Sequence, residues 1–428
     1  MSQRIRNSLG PSIIIAAAVV GTGELIVAPR LGASVGLSAL WLIILGCVVK
    51  VFIQEELGRH TILTGDTALD ALNRVPGPAW RLSWAAWSWL LLLFAGTLQM
   101  GGILASLLQT LQLAGLAWPM PVLAAITTFG TAAVLIAGRY RFIESAASIM
   151  VAGFTGMTVI ALVLLQRTEF HVSAAAILEG LKFRLPERGF ADAVALFGIT
   201  GIGTAELIFY PYWCLEKGYA RDLTPGAVRD RAVLAGRIRG MRVDISLALM
   251  VYTFATLAFF ILGATILHGV KEVPQGLDMI RTISQMYTKT FGDWVFCLFV
   301  AGAFVVLYST FFVAMATWAR LIADTFRLVS ARGPSLPHRR ITNGAIAVLS
   351  VVYLLLGTSF SRTPQWLIIG GGALQTLLLP VFSIAILLIR NRRTDDFRPR
   401  RWHHWALNLS VVVVSVAALY SVWGLIWK

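Results

Sequence analysis

Gly21-Thr22-Gly23-Glu24-Leu25-Ile26-Val27-Ala28-Pro29 returns 182 residues later as Gly203-Thr204-Ala205-Glu206-Leu207-Ile208-Phe209-Tyr210-Pro211, with six of the nine positions identical. Each copy interrupts a long apolar run with glycine, a carboxylate and proline. A helix crossing lipid avoids those residues, because unwound backbone at membrane depth is tolerated only inside protein or along a cavity. A matched pair of interrupted helices, one in each half of a chain, points to the central site of a secondary transporter.

The surrounding composition agrees. Of 428 residues, 57% are hydrophobic and 13% charged, with mean hydropathy +0.76. Soluble domains carry about 25% charged residues. The reading is an all-α polytopic membrane protein, and the continuous apolar runs exclude a β-barrel. The net charge of +15 does not point to nucleic acid, because the basic residues collect in every second loop. Cys47, Cys214 and Cys297 lie in or beside apolar runs and form neither a disulfide framework nor a zinc spacing. No phosphate-binding loop, hydrolase elbow or zinc-protease helix motif is present, so neither ATP-driven pumping nor enzyme chemistry is expected, and no cofactor.

A criterion of roughly 20 apolar residues per crossing gives eleven spans, at about 10–35, 37–57, 82–112, 119–138, 145–166, 190–214, 242–268, 293–320, 341–358, 365–390 and 405–426. The two copies fall in the first and sixth. Five helices per half forces the halves into opposite orientations, the inverted-repeat plan. The expected division is 1–168 for the first repeat, 169–390 for the second, and 391–428 for a basic linker and an eleventh helix. With the N-terminus inside, 25 of the 36 Lys and Arg lie in inner segments and ten in outer ones, Lys50 being the other. This places the N-terminus in the cytoplasm and the C-terminus outside, in a bacterial inner membrane. The outer loops at about 167–189 and 269–292 read as either short interfacial helices or solvated loop. The bilayer is the expected surrounding, and no obligate protein partner is evident.

Ionisable residues inside spans are costly unless they face water, a partner or a substrate. Glu24 and Glu206 occupy equivalent places in the two copies. If the breaks face each other, freed carbonyls and two carboxylates converge on oxygen ligation for a hard divalent cation. Two close carboxylates do not both ionise readily, so one would keep a proton and release it when a cation arrives. The plainer alternative is that each Glu caps its own half-helix or pairs with a basic neighbour. Gly21, Gly23, Glu24, Thr204, Ala205 and Glu206 are the candidate substrate-binding residues, with Glu24 and Glu206 as metal ligands. Lys50 either pairs with a buried acid or snorkels to the inner face, and an ammonium beside the site opposes a divalent cation. Asp244 is read as a salt-bridged residue at the membrane edge. Gln99 and Gln375, in glycine-rich surroundings, either face the cavity or join helices by hydrogen bonds. Tyr210, with Tyr212 and Trp213 after Glu206, either forms a gate or simply packs.

The chain resembles the natural resistance-associated macrophage protein (Nramp) family of proton-coupled divalent metal transporters. The likeness is carried by Gly10-Pro11, Gly21 to Trp41, Leu63-Thr64-Gly65-Asp66, Gly198-Ile199 with Gly201, Asp244 and the span ending in His268, and Leu379-Pro380. It implies the inverted five-helix repeat and a metal site where spans one and six unwind. The departures fall on that site. Where the family has Asp-Pro-Gly-Asn, this chain has Gly21-Thr22-Gly23-Glu24; where it has Met-Pro-His, this chain has Ala205-Glu206-Leu207. The family's tenth-span Gln falls near Gly372, one turn from Gln375, and an acid in span three corresponds to Gln99. Loss of the thioether removes the preference for softer ions and leaves a set suited to Mg²⁺ or Mn²⁺. The expected function is secondary, proton-coupled transport of such a cation. A transporter of a small organic or amino-acid-like solute, and a non-transporting sensor or scaffold, stand as the alternatives.

Overall fold

The computed structural model describes residues 20–138, 140–184, 189–220, 231–330, 337–392 and 401–427. Gly10-Pro11 and the N-terminal arginines lie outside these residues, as do Arg393, Arg398 and Arg400 of the basic linker.

The described chain begins at Val20, at the first copy of the repeat. A wide π-type turn over Gly23–Val27 leads into α1, Ala28–Val35, with Pro29 in its first turn, where a missing N–H costs nothing. Gly36, at φ 61°, turns the chain into a short 3₁₀ segment and α2, Leu40–Thr64. Gly65 ends α2 at φ 80°, and Thr67 and Asp70 form a reciprocal capping box on α3, Ala68–Asn73. A two-residue hairpin (β1, Ala79–Trp80; β2, Leu82–Ser83) precedes α4, Trp84–Trp87, and α5, Trp89–Leu113. Then follow α6, Met120–Ala137, α7, Tyr140–Leu165, and α8, Ala174–Gly180.

The second interruption separates α9, Phe190–Ile199, from α10, Thr204–Glu216. Beyond it lie α11, Arg231–Leu262, continued by a π-type turn to Leu267, then α12, Met279–Phe291, and α13, Val295–Val329. The chain closes with α14, His338–Ser359, α15, Pro364–Asn391, and α16, Arg401–Trp427. Both outer loops therefore hold a helix, α8 and α12. α12 buries Met279, Ile280, Ile283, Met286 and Tyr287 on one face, as an interfacial helix does.

Among the described residues nine helical segments are long and apolar enough to cross a membrane. The expected eleven is reached only by dividing the first segment, 42 residues from Gly23 to Thr64, at Gly36, and by adding α7 with its apolar stretch Val151–Leu165. α11 begins at Arg231, well before the expected limit, so Arg237, Arg239 and Arg242 lie on helix rather than loop. The salt bridge expected of Asp244 is present but buried rather than on the surface: Asp244 accepts from the Tyr219 hydroxyl, with the Lys217 ammonium 3.7 Å away.

Glycine sets how closely the helices around the interruptions approach. A Cβ on Gly198 of α9 would lie 2.4 Å from the Gly372 carbonyl of α15, and one on Gly371 2.6 Å from the Ala95 carbonyl of α5. α1 and α11 meet in the same way, through Gly32 against Phe260 and Gly263 against Pro29. Where lipid is as apolar as leucine, such small-residue contact is the main source of helix association. Off this core, the Asp66 carboxyl would be raised by its partial burial. The His60 hydrogen bond at 2.9 Å and the Arg74 guanidinium at 2.8 Å outweigh that and hold it below the ordinary carboxylate range.

Two predictions follow from this packing. Gly198→Val should cost roughly 1–3 kcal/mol through overpacking, whereas Gly370→Ala, where a Cβ meets open space, should be neutral or stabilising; thermal unfolding in detergent compares them, and equal midpoints would contradict the packing. A depressed folded-state carboxyl contributes stability at neutral pH that is lost as pH falls through its lowered value. Asp66→Asn should therefore unfold earlier than the parent in neutral buffer, with the difference closing in strong acid; a difference independent of pH would count against the ion pair.

Candidate functional site

An interrupted helix leaves N–H groups without partners on one side and carbonyls on the other. The site is built from how this chain satisfies them.

Glu24 lies in the π-type turn and is completely buried. Its Oε2 accepts from the Gly21 N–H, three residues back, at 3.0 Å. Its Oε1 accepts from the Gly201 N–H of the second interruption at 3.2 Å and from the Thr256 hydroxyl of α11 at 3.2 Å. One carboxylate thus caps its own half-helix and holds the other interruption as well. Gly23 makes the approach possible, since a Cβ there would sit 3.2 Å from the Ile199 carbonyl. Gly201, at φ 60°, adopts a left-handed turn that suits glycine.

Glu206 stands in the first turn of α10 and is half-buried. Its Oε2 folds back to Gly203, 2.4 Å from where a Cβ on that glycine would be. The relation repeats that of Glu24 to Gly21: carboxylate to the residue three back, at a helix start where negative charge is favoured. Glu24 and Glu206 share no hydrogen-bond partner among the described residues. The plainer alternative, each Glu capping a half-helix, describes both.

The carbonyls of the second interruption have a partner that neither reading of Lys50 anticipated. Lys50 of α2 is fully buried, so it does not snorkel. Its Nζ donates to the Phe197 carbonyl at 2.9 Å and the Thr200 carbonyl at 2.5 Å, with the Phe197 ring centroid 5.7 Å away. The expected convergence of free carbonyls on a cation is filled here by the chain's own ammonium.

A line of amides joins the two interruptions across the neighbouring helices. Gln99 Nε2 of α5 donates to the Thr22 hydroxyl at 3.3 Å, and Gln375 Nε2 of α15 donates to Gln99 Oε1 at 2.6 Å. Gln375 Oε1 in turn accepts from the Ala205 N–H at 3.2 Å, while the Thr204 hydroxyl donates to the Gln375 carbonyl at 2.8 Å. Gln99 and Gln375 therefore bond to each other between helices, and they reach Thr22, Thr204 and Ala205 while doing so. Gln99 and Glu206 are partly accessible, as is Thr310 of α13, so the polar line has an open side.

Tyr210 packs against Gly58 of α2, where a Cβ would meet its ring at 2.5 Å, and is buried. Gly21 has no room for a side chain: a Cβ would lie 2.7 Å from the Thr310 hydroxyl oxygen. The position matching the family's aspartate is thus closed by α13 as well as lacking a carboxylate. Among the described residues no group of three or more His, Cys, Asp or Glu side chains is placed to hold a metal. Sequence reasoning passed over Thr256 and Thr310, which carry no signal of their own. It also missed the Arg30–Asp192 pair, 2.8 Å apart, which ties α1 to α9, with Arg30 also donating to the Pro274 carbonyl. Arg30 and Asp192 were visible as ionisable residues at the ends of apolar runs.

A sequence profile described as natural resistance-associated macrophage protein-like matches residues 12–424. An uncharacterized protein of Pasteurella multocida is 25% identical over 356 residues, 81% of this chain and 77% of the relative. The divalent metal cation transporter MntH of Verminephrobacter eiseniae is 27% identical over 285 residues, 65% of this chain and 60% of the relative. A crystal structure of the Eremococcus coleocola manganese transporter shares the fold at TM-score 0.65, with 14% identity over 96% of this chain and 85% of that one. Its long apolar helices, and a match over nearly its whole length, make this chain an integral membrane protein of the Nramp family.

Proposed function

We propose that the chain is a secondary active transporter that carries a divalent metal cation, coupled to protons, across a bacterial inner membrane. The observation that carries this reading is Glu24, a buried carboxylate that bonds both interruptions at once. A group in that position responds to any change in how the two half-helices meet, which is the motion alternating access needs. Family membership and the name of the Verminephrobacter relative support the cargo class.

The partly accessible groups are the Glu206 carboxylate and the Gln99 amide, with the buried Gln375 amide and Thr22 hydroxyl hydrogen-bonded behind them, so the ligating atoms on offer are oxygens. Oxygen sets favour Mg²⁺ and Mn²⁺ over softer ions. Glu206 is the proton-exchanging group in this scheme, because it is the carboxylate with only its own half-helix to satisfy. Release of its proton toward the inner side as the cation binds offsets one of the two positive charges added and couples the two movements in one direction. The N-terminus is cytoplasmic and the C-terminus outside, with the two repeats at 1–168 and 169–390 and the eleventh helix at 391–428.

Lys50 favours a second reading. A buried ammonium beside the interruptions repels a divalent cation and suits the carboxylate of a small organic or amino-acid-like solute.

Uptake into proteoliposomes separates the two. The first reading expects saturable Mn²⁺ or Mg²⁺ entry, faster with an inward proton gradient and weaker for Cd²⁺, with Glu206→Gln losing the gradient dependence and falling at least about tenfold, the scale of one lost charged contact. Glu24→Gln should also lose transport, with a lower unfolding midpoint, since an amide cannot accept from all three donors. Absence of metal flux, with calorimetric binding of an amino acid or polyamine, would establish the second reading instead. A protein inert in every flux assay would leave the sensor or scaffold role.

A further inference from the structure

Lys50 has chemistry that the transport scheme does not use. Its carbon stem passes from α2 to the end of α9, and its ammonium is shielded from solvent. The Phe197 carbonyl belongs to the last turn of α9, and the Thr200 carbonyl to the first residue beyond it. Neither has a helical N–H four residues on, because the helix stops. They also form the negative end of the half-helix dipole. Carbonyls freed at the C-terminal end of an interrupted helix form a natural seat for a small cation.

No carboxylate bonds Lys50 among the described residues. Both oxygens of Glu24 are taken by Gly21, Gly201 and Thr256, and Glu206 turns to Gly203. A buried ammonium whose bonded partners are backbone carbonyls, under an aromatic ring, has the surroundings of a bound monovalent cation.

We propose that Lys50 is a tethered cation: its ammonium permanently fills a monovalent-cation position at the C-terminal end of α9, a seat that takes a small primary ammonium ion when the lysine is removed. The consequence concerns the cargo. The Phe197 and Thr200 carbonyls are not ligands of the transported ion, which is confined to the Glu206, Gln99 and Gln375 side. This consequence rests on the transport reading. The seat itself does not.

Removing the side chain and returning its charged end in solution tests the proposal without any flux measurement. Lys50→Ala should lower the unfolding midpoint of the purified protein in detergent, and excess ethylammonium or methylammonium should restore most of the loss. Tetramethylammonium, charged but without N–H donors, should not, and none of the three should shift the parent. Lys50→Met keeps the length without donors, so it should be destabilised and not rescued, its side chain filling the seat. Should Lys50→Ala fold only when expressed with ethylammonium, that too supports the seat. Failure of every primary ammonium to stabilise it or to permit its folding, rescue by tetramethylammonium to the same extent, or a Lys50→Met protein as stable as the parent would overturn the proposal. Because the readout is stability, a rescued variant in a protein that moves no metal would count against the transport reading and not against the seat.

Discussion

Two helices interrupted side by side within a bilayer need partners for every N–H and carbonyl they release, since water is not there to supply them. In this chain one N–H of each interruption goes to a single carboxylate, Glu24, and two carbonyls of the second go to one ammonium, Lys50. An unsatisfied buried polar group costs about 1–3 kcal/mol and a charged one more, so these two side chains decide whether the centre of the molecule holds together. The glycines follow from the same requirement. Gly23 lets the two backbones approach, and Gly201 takes the left-handed turn that presents its N–H to the same carboxylate.

The charge arrangement also shapes what the centre does. Lys50 and Glu24 have opposite charge, and each spends its hydrogen-bonding capacity on backbone rather than on the other. Glu206 differs from both in being partly accessible and bound only at its own half-helix. The family scaffold is retained, while the position of its aspartate is closed by Thr310 and that of its methionine is held by Ala205. In the proposed transport scheme the binding capacity lies toward α5 and α15, where Gln99 and Gln375 hydrogen-bond each other. These two helices pack through glycine, so a shift at the amides is passed directly to backbone contacts.

Much of this was legible in the residues. The repeat located both interruptions, and the three-residue step from glycine to glutamate is itself a helix-start pattern that foreshadowed the capping. The glycines near Gln99 and Gln375 announced close helix contact. The partner of Lys50 was not legible, because a backbone carbonyl has no residue identity to read and α9 is nearly 150 residues away in sequence. Thr256 and Thr310 were hidden for a related reason: hydroxyls on membrane helices usually bond their own backbone, and only the fold shows which one faces a carboxylate. The arginines before Asp244 read as loop by their charge, yet they sit on a helix, where Arg237 donates to the Tyr219 carbonyl and Arg242 to the Glu55 carboxylate.

A metal-soaked experimental structure, with anomalous scattering at the manganese edge, tests the central claim most directly. The account predicts an ion bound by Glu206 with Gln99 or Gln375, while the Lys50 ammonium remains on the Phe197 and Thr200 carbonyls and Glu24 still spans Gly21 and Gly201. An ion seated on those two carbonyls with Lys50 displaced, or one bound by Glu24 with both of its backbone bonds broken, would contradict it.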